Sequence, residues 1–131
     1  MRQIQIKPFS KGGFKNMEPR ALFIVRSSIP SEKEEAFNRW YNEDHLQKAL
    51  AAPGCLSARR YKILGTGGAN LRSKIEGEER FRFMAIYEYE SLAIREANIK
   101  AGRLNKMVAE FNENWPESER LWTSAIQIYP E

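Results

Sequence analysis

Cysteine is almost absent: Cys55 is the single one in 131 residues. No intrachain disulfide can form, and no cysteine-based zinc cluster can be built. Histidine is as scarce, with His45 standing alone; one His and one Cys, with no acidic residue at ligand spacing, predict no metal site. Long apolar runs are missing too. None approaches the roughly 18 residues of a membrane-spanning helix, and no charged start followed by an apolar stretch marks a secretory signal. A cytoplasmic location and no membrane partner are the expectations. Acidic residues are missing from residues 1–16, where Arg2, Lys7, Lys11 and Lys15 account for the whole net charge of +4. Residues 17–131 therefore balance to zero. A neutral domain with a short basic leader lacks the electrostatic footprint that phosphate binding needs, so no nucleic-acid partner is expected.

What is present is an ordinary globular composition, 42% hydrophobic and 29% charged, in a chain of one-domain length. Residues 1–19 are expected as an N-terminal extension, either a loose tail or an added edge strand carrying Ile4 and Ile6. A start at Met17, with the earlier residues an upstream extension, is the other reading. Residues 20–131 form the domain proper.

Ala21–Ser28 is apolar on both faces for its first five residues, as a strand covered on both sides reads. After Pro30, the spacing of Ser31 and Glu34 predicts a capping box, then a helix with Ala36, Phe37, Trp40 and Tyr41 on its apolar stripe. Asn42–Ala52 is expected as a second helical piece with Leu46 and Leu50 inward, and Pro53-Gly54 as a turn. Leu56–Leu64 reads as a strand, Gly65–Glu79 as a loop, and Arg80–Glu90 as an alternating strand. Ile94, Ala97, Ala101, Leu104, Val108, Phe111 and Trp115 then recur at spacings of three and four. They predict one long helix running through Gly102 to Pro116. Leu121–Tyr129 closes the chain as a fourth strand.

The order β-α-β-β-α-β is the split βαβ arrangement, an α+β ferredoxin-like fold: a four-stranded antiparallel sheet with both helices on one face. The third strand carries Met84 and Ile86 on one side and Phe83, Ala85 and Tyr87 on the other, and the first strand is apolar on both sides, so the face without helices would be an apolar patch larger than monomers tolerate. A second copy of the same sheet is the simplest cover, so a homodimer is inferred.

Trp40-Tyr41-Asn42-Glu43-Asp44-His45-Leu46, then Pro53-Gly54-Cys55-Leu56-Ser57-Ala58-Arg59-Arg60-Tyr61, resembles the EthD-like members of the dimeric α+β barrel superfamily. Met84-Ala85-Ile86-Tyr87-Glu88-Tyr89-Glu90-Ser91 is similar to the third strand of that group. The likeness covers roughly residues 20–129 and is more specific for fold than for function, because such proteins include isomerases, decarboxylases, cofactor-free oxygenases and chains without known activity. It implies a pocket between the sheet and the first helix, sized for a small, often aromatic or lactone-like molecule.

His45 is the sole side chain whose ordinary pKa lies near neutrality. It is a candidate general acid or base at the mouth of that pocket, or else a ring packed at a helix junction on a backbone carbonyl. Arg59 and Arg60 point to opposite faces of their strand, so one of them is covered. Arg60 is the choice for an anion-holding guanidinium, with Glu88 as its partner if the pair is merely structural. Tyr41 completes the catalytic candidates as a hydrogen-bond donor to a developing oxyanion. Trp40, Tyr61, Tyr87 and Glu88 are expected around the substrate, although packing is the first explanation for Trp40, Trp115 and Trp122. Cys55 reads as a small buried hydrophobe, and Gly65-Thr66-Gly67-Gly68 lacks the Lys-Ser/Thr of a phosphate loop. The expected function is cofactor-independent proton transfer on a carbonyl-bearing or aromatic metabolite. The alternatives are a non-catalytic ligand-binding protein, and a haem-dependent monooxygenase with His45 as axial ligand.

Overall fold

The computed structural model describes residues 18–65 and 80–130. Almost all of the expected N-terminal extension, and the loop over 66–79, lie outside the described residues. The first strand, β1 (Ala21–Ser28), occupies the predicted segment. A 3-10 turn (Ser31–Lys33) leads into α1 (Glu34–Trp40), which passes through a π-helical turn (Tyr41–His45) into α2 (Leu46–Leu50). Then come β2 (Cys55–Lys62), β3 (Phe83–Tyr89), α3 (Leu92–Lys100), α4 (Arg103–Asn114) and β4 (Glu119–Ile126). All strand pairings are antiparallel and the sheet order is β2-β3-β1-β4. This is the ferredoxin-like α+β arrangement expected from the sequence. Among the described residues no helix is long and apolar enough to cross a membrane.

The register explains why β1 is apolar on both sides. Val25 lies opposite Ala85 and Trp122, and Ala85 lies opposite Arg60; these face the helices. Ile24 lies opposite Ile86 and Thr123, and Ile86 opposite Arg59; these face away. The helix-side core gathers around Phe37, which is fully buried and meets Tyr41, Phe111 and Trp115 edge-to-face at 5.6, 5.8 and 5.4 Å. Such edge-on contacts set the positive rim of one ring against the negative face of another.

Two local expectations are corrected. Ser31 makes no cap: the chain enters through a 3-10 turn at Pro30, where the Lys33 N–H donates to the Pro30 carbonyl at 2.9 Å. Glu34, freed from the capping box, instead pairs with Arg82 at 2.6 Å. The predicted long helix is two. Gly102 adopts φ +83°, the left-handed conformation in which a glycine ends a helix without a Cβ penalty. The apolar stripe holds only beyond that break, through Leu104, Val108, Phe111 and Trp115. Before it, Ala97 and Ala101 are exposed, while Arg95 and Asn98 are buried.

Candidate functional site

The turn from Tyr41 to His45 puts the site together. A π-turn adds a residue relative to α-helical winding and re-aims the side chains it carries. Here it buries both Tyr41 and His45 against the sheet. His45 stacks on Trp40 at 4.8 Å and meets Tyr41 and Phe111 edge-on at 5.0 and 5.2 Å. Its Nδ1 is sealed from solvent and has no hydrogen-bond partner among the described residues. Burial lowers its pKa from 6.5 to about 4; Glu110 and Asp44 pull the other way, and Lys48 and Arg120 add to the lowering. The imidazole is therefore neutral at pH 7.

Tyr41 and Tyr87 share a buried hydrogen bond, hydroxyl to hydroxyl, at 3.1 Å. Burial raises both phenol pKa values, Tyr87 most strongly. Two hydroxyls carry two protons and their mutual bond uses one. Among the described residues no acceptor takes the other.

Both tyrosines and His45 line a cavity of about 70 Å³ between the sheet and α4. That is several times the ~10–15 Å³ a single water requires. Two lining residues are exposed, Trp122 (49%) on the edge strand β4 and Arg103, and between them the cavity reaches solvent. Arg95, Arg103 and Arg120 also line it, and none of the described lining residues is Asp or Glu. The Arg95 guanidinium stands over Phe23 at 4.3 Å and donates to the Ser124 hydroxyl at 3.5 Å. Arg120 stands over Phe111 at 4.3 Å and donates to the Asn112 side chain.

The sequence-predicted candidates divide between this cavity and other places. Tyr41, His45 and Tyr87 come together on its wall. Arg60 faces the helix side and Arg59 is exposed, but Arg60 does not line the cavity. It sits over the Tyr41 ring at 4.1 Å, with Phe83 and Phe37 at 5.4 and 5.7 Å, and donates to Asn42 Oδ1 at 3.1 Å. Glu88 is not its partner: it lies on the opposite sheet face, accepting from the Ser57 hydroxyl at 3.4 Å. Tyr61 shares that far face and is 45% exposed. Trp40 backs His45 without reaching the cavity. Trp122, read as packing, is instead a lining residue.

Arg95, Asn98, Arg103 and Arg120 went unnoticed in the sequence. A signal existed for two of them: Ser91, Arg95 and Asn98 recur at helical spacing, with Ser91 capping α3 through the Ile94 N–H at 3.2 Å. Asn98 then donates to the Pro53 carbonyl at 2.8 Å, tying α3 to the Pro53-Gly54 turn.

Haem does not fit. A tetrapyrrole is several times larger than this cavity, and His45 is clamped flat against Trp40. Among the described residues no group of three His, Cys, Asp or Glu side chains is placed to hold a metal ion.

A four-stranded antiparallel sheet, helices on one face and an apolar cavity between them define a ferredoxin-like α+β protein. The fold is that of the EthD-like proteins. An EthD family protein from Bacillus halodurans superposes with a TM-score of 0.61 at 12% identity, over 84% of this chain and 99% of that one. A dimeric ferredoxin-like protein from an uncultured marine organism matches with a TM-score of 0.51 at 14% identity, over 87% and 100%. A Nitrosomonas europaea protein named for the antibiotic biosynthesis monooxygenases gives 0.55 at 15% identity, over 85% and 92%. No family model and no curated protein matches the chain.

Proposed function

We propose that this chain is a homodimeric, small-molecule-binding barrel protein that moves a proton on a carbonyl-bearing substrate without a cofactor. One observation carries the reading: a neutral, buried imidazole and a tyrosine pair with one unspent O–H face the same small apolar cavity. His45 takes the proton from the carbon beside the carbonyl, and the electron pair moves onto the carbonyl oxygen. The free phenol O–H of the Tyr41–Tyr87 pair holds that oxyanion, and return of the proton to carbon completes an isomerisation or exchange. Arg60 is a positioning residue in this scheme, its cation fixing the Tyr41 ring and favouring negative charge on its oxygen. Empty, the imidazole is a weak base. A negative charge on bound substrate raises its pKa towards neutrality, so His45 becomes effective only in the loaded cavity.

The test is solvent deuterium exchange at the acidic carbon of a panel of small ketones, lactones and keto acids. At least one compound should exchange faster with the protein present. His45→Gln should slow that exchange about 100-fold or more, and Tyr87→Phe by a smaller factor. If ligands bind but nothing in the panel exchanges, the protein is a binding module and the proton-transfer reading is wrong.

A further inference from the structure

The cavity's polar groups are unbalanced in one direction. Three guanidiniums line it against no described carboxylate, and the tyrosine pair adds a spare O–H donor. Several acids are paired elsewhere: Glu34 with Arg82, Asp44 and Glu110 with Lys48, Glu117 with Lys33, and Glu119 with Arg80, and Glu96, the neighbour of Arg95 on α3, acts on it by charge without an ion pair. None of the cavity arginines has an acidic partner among the described residues. Arg95 is only 8% exposed, and burial pulls the pKa of both Arg95 and Arg120 down. Arg95 and Arg120 each spend one guanidinium donor on a side-chain hydrogen bond out of five, so donors remain on both; the sealed guanidinium atoms without a partner among the described residues are Nε and Nη2 of Arg60, behind Tyr41.

Arg120 is the one placed beside the chemistry. Its nearer ring contact is Phe111 at 4.3 Å, with Trp122 at 5.4 Å; Phe111 also packs on Tyr41 and His45, and the Arg120 charge is felt by both of those groups. Arg95, on α3, reaches β4 further along at Ser124, over Phe23 and beside Tyr89. Trp122 lies between them on the strand, with one face towards solvent.

We propose that the cavity selects a small ring-bearing monocarboxylate, whose carboxylate Arg120 holds on the exposed Trp122 side; at about 70 Å³, against the ~150 Å³ that encloses a benzene, the cavity takes in part of the ring, on the Phe111 and Tyr41 side. This rests on the cavity described above and names the substrate class for the proton-transfer reading, assigning to Arg120 the anion-holding part expected of Arg60. A planar fork matches a carboxylate in two parallel hydrogen bonds, and low-dielectric walls strengthen the pairing. Arg95 contributes positive potential without direct contact.

The experiment titrates benzoate and its uncharged isostere benzamide into the full-length protein, following indole fluorescence and the His45 ring protons by NMR. Benzoate should bind at least tenfold more tightly than benzamide. Arg120→Gln should remove that preference, Arg120→Lys should keep part of it, and Arg95→Gln should weaken benzoate only a few-fold. Thermal melts of each variant separate lost binding from lost folding. Equal affinity for benzoate and benzamide overturns the proposal, as does a preference that survives Arg120→Gln, or one that Arg95→Gln abolishes in its place. A preference for benzoate with no exchange in any panel compound would remove the enzyme reading and leave the anion site standing. Exchange that depends on His45, with no preference for the anion, would do the reverse.

Discussion

His45 stands among rings and has no charged group in direct contact, so water is what it has lost. Desolvation disfavours the imidazolium and lowers the pKa to about 4. The linkage to stability follows. The unfolded chain, with His near 6.5, takes up its proton first as the pH falls, so folded stability is intact above about 6.5. It declines between about 6.5 and about 4, and the His45 contribution is constant below that. At ~1.4 kcal/mol per pKa unit, the shift from 6.5 to about 4 sets the loss at no more than about 3.5 kcal/mol. The charges of Asp44, Glu110, Lys48 and Arg120 act on the ring from a distance, so the comparison is made against His45→Gln, which keeps all four. We expect the wild type to lose more stability than that variant on acidification from pH 7 to pH 4.5, measured by urea denaturation. Parallel losses would show that His45 is not buried neutral.

At the scale of elements, two glycines at positive φ do different jobs. Gly54, at φ +76°, closes the turn into β2, and a Cβ there would stand 2.4 Å from Ile94 Cδ1. Gly102, at φ +83°, separates α3 from α4 with open space around it. Gly54→Ala therefore combines backbone strain with overpacking and should cost about 2 kcal/mol or more, whereas Gly102→Ala should cost about 1 kcal/mol from strain alone. Chemical denaturation of both variants checks the order; a cheaper Gly54→Ala would mean that Ile94 moves freely. The Gly102 break also marks the limit of reading helices from a sequence. The spacing of Ile94, Ala97 and Ala101 continues the later stripe in register, so periodicity alone joins the two helices. Small Ala residues sit as easily in water as in a core, and the inward face of α3 is set by Arg95 and Asn98, which read as surface. The strands were legible to within a few residues because their alternation is enforced on every second position.

At the scale of the whole molecule, no described helix covers the sheet's second face. Leu22, Ile24, Met84 and Ile86 lie on it, with Leu121 39% and Tyr61 45% exposed. One protein of the same fold is described as dimeric. We expect sedimentation to give a dimer, and Ile86→Glu, at the centre of this face, to give a folded monomer with native circular dichroism. A dimer that survives Ile86→Glu would place the interface elsewhere.

The sequence by itself determined the element order and the ferredoxin-like topology, and it divided β3 into one side with Phe83, Ala85 and Tyr87 and another with Met84 and Ile86. Those follow from local periodicity, turn chemistry and the handedness of crossovers, and all three are written in neighbouring residues. It also put His45, Tyr41 and Tyr87 forward as candidates. Only the tertiary structure decided which of them share a cavity, that Arg60 lies behind Tyr41 with Glu88 on the far face, and that Arg95 and Arg120 turn inward. Whether a charged side chain is buried depends on what faces it across the sheet and helices. Residues distant in the chain, such as Phe23 beneath Arg95 and Phe111 beneath Arg120, supply those faces, and no local pattern announces them.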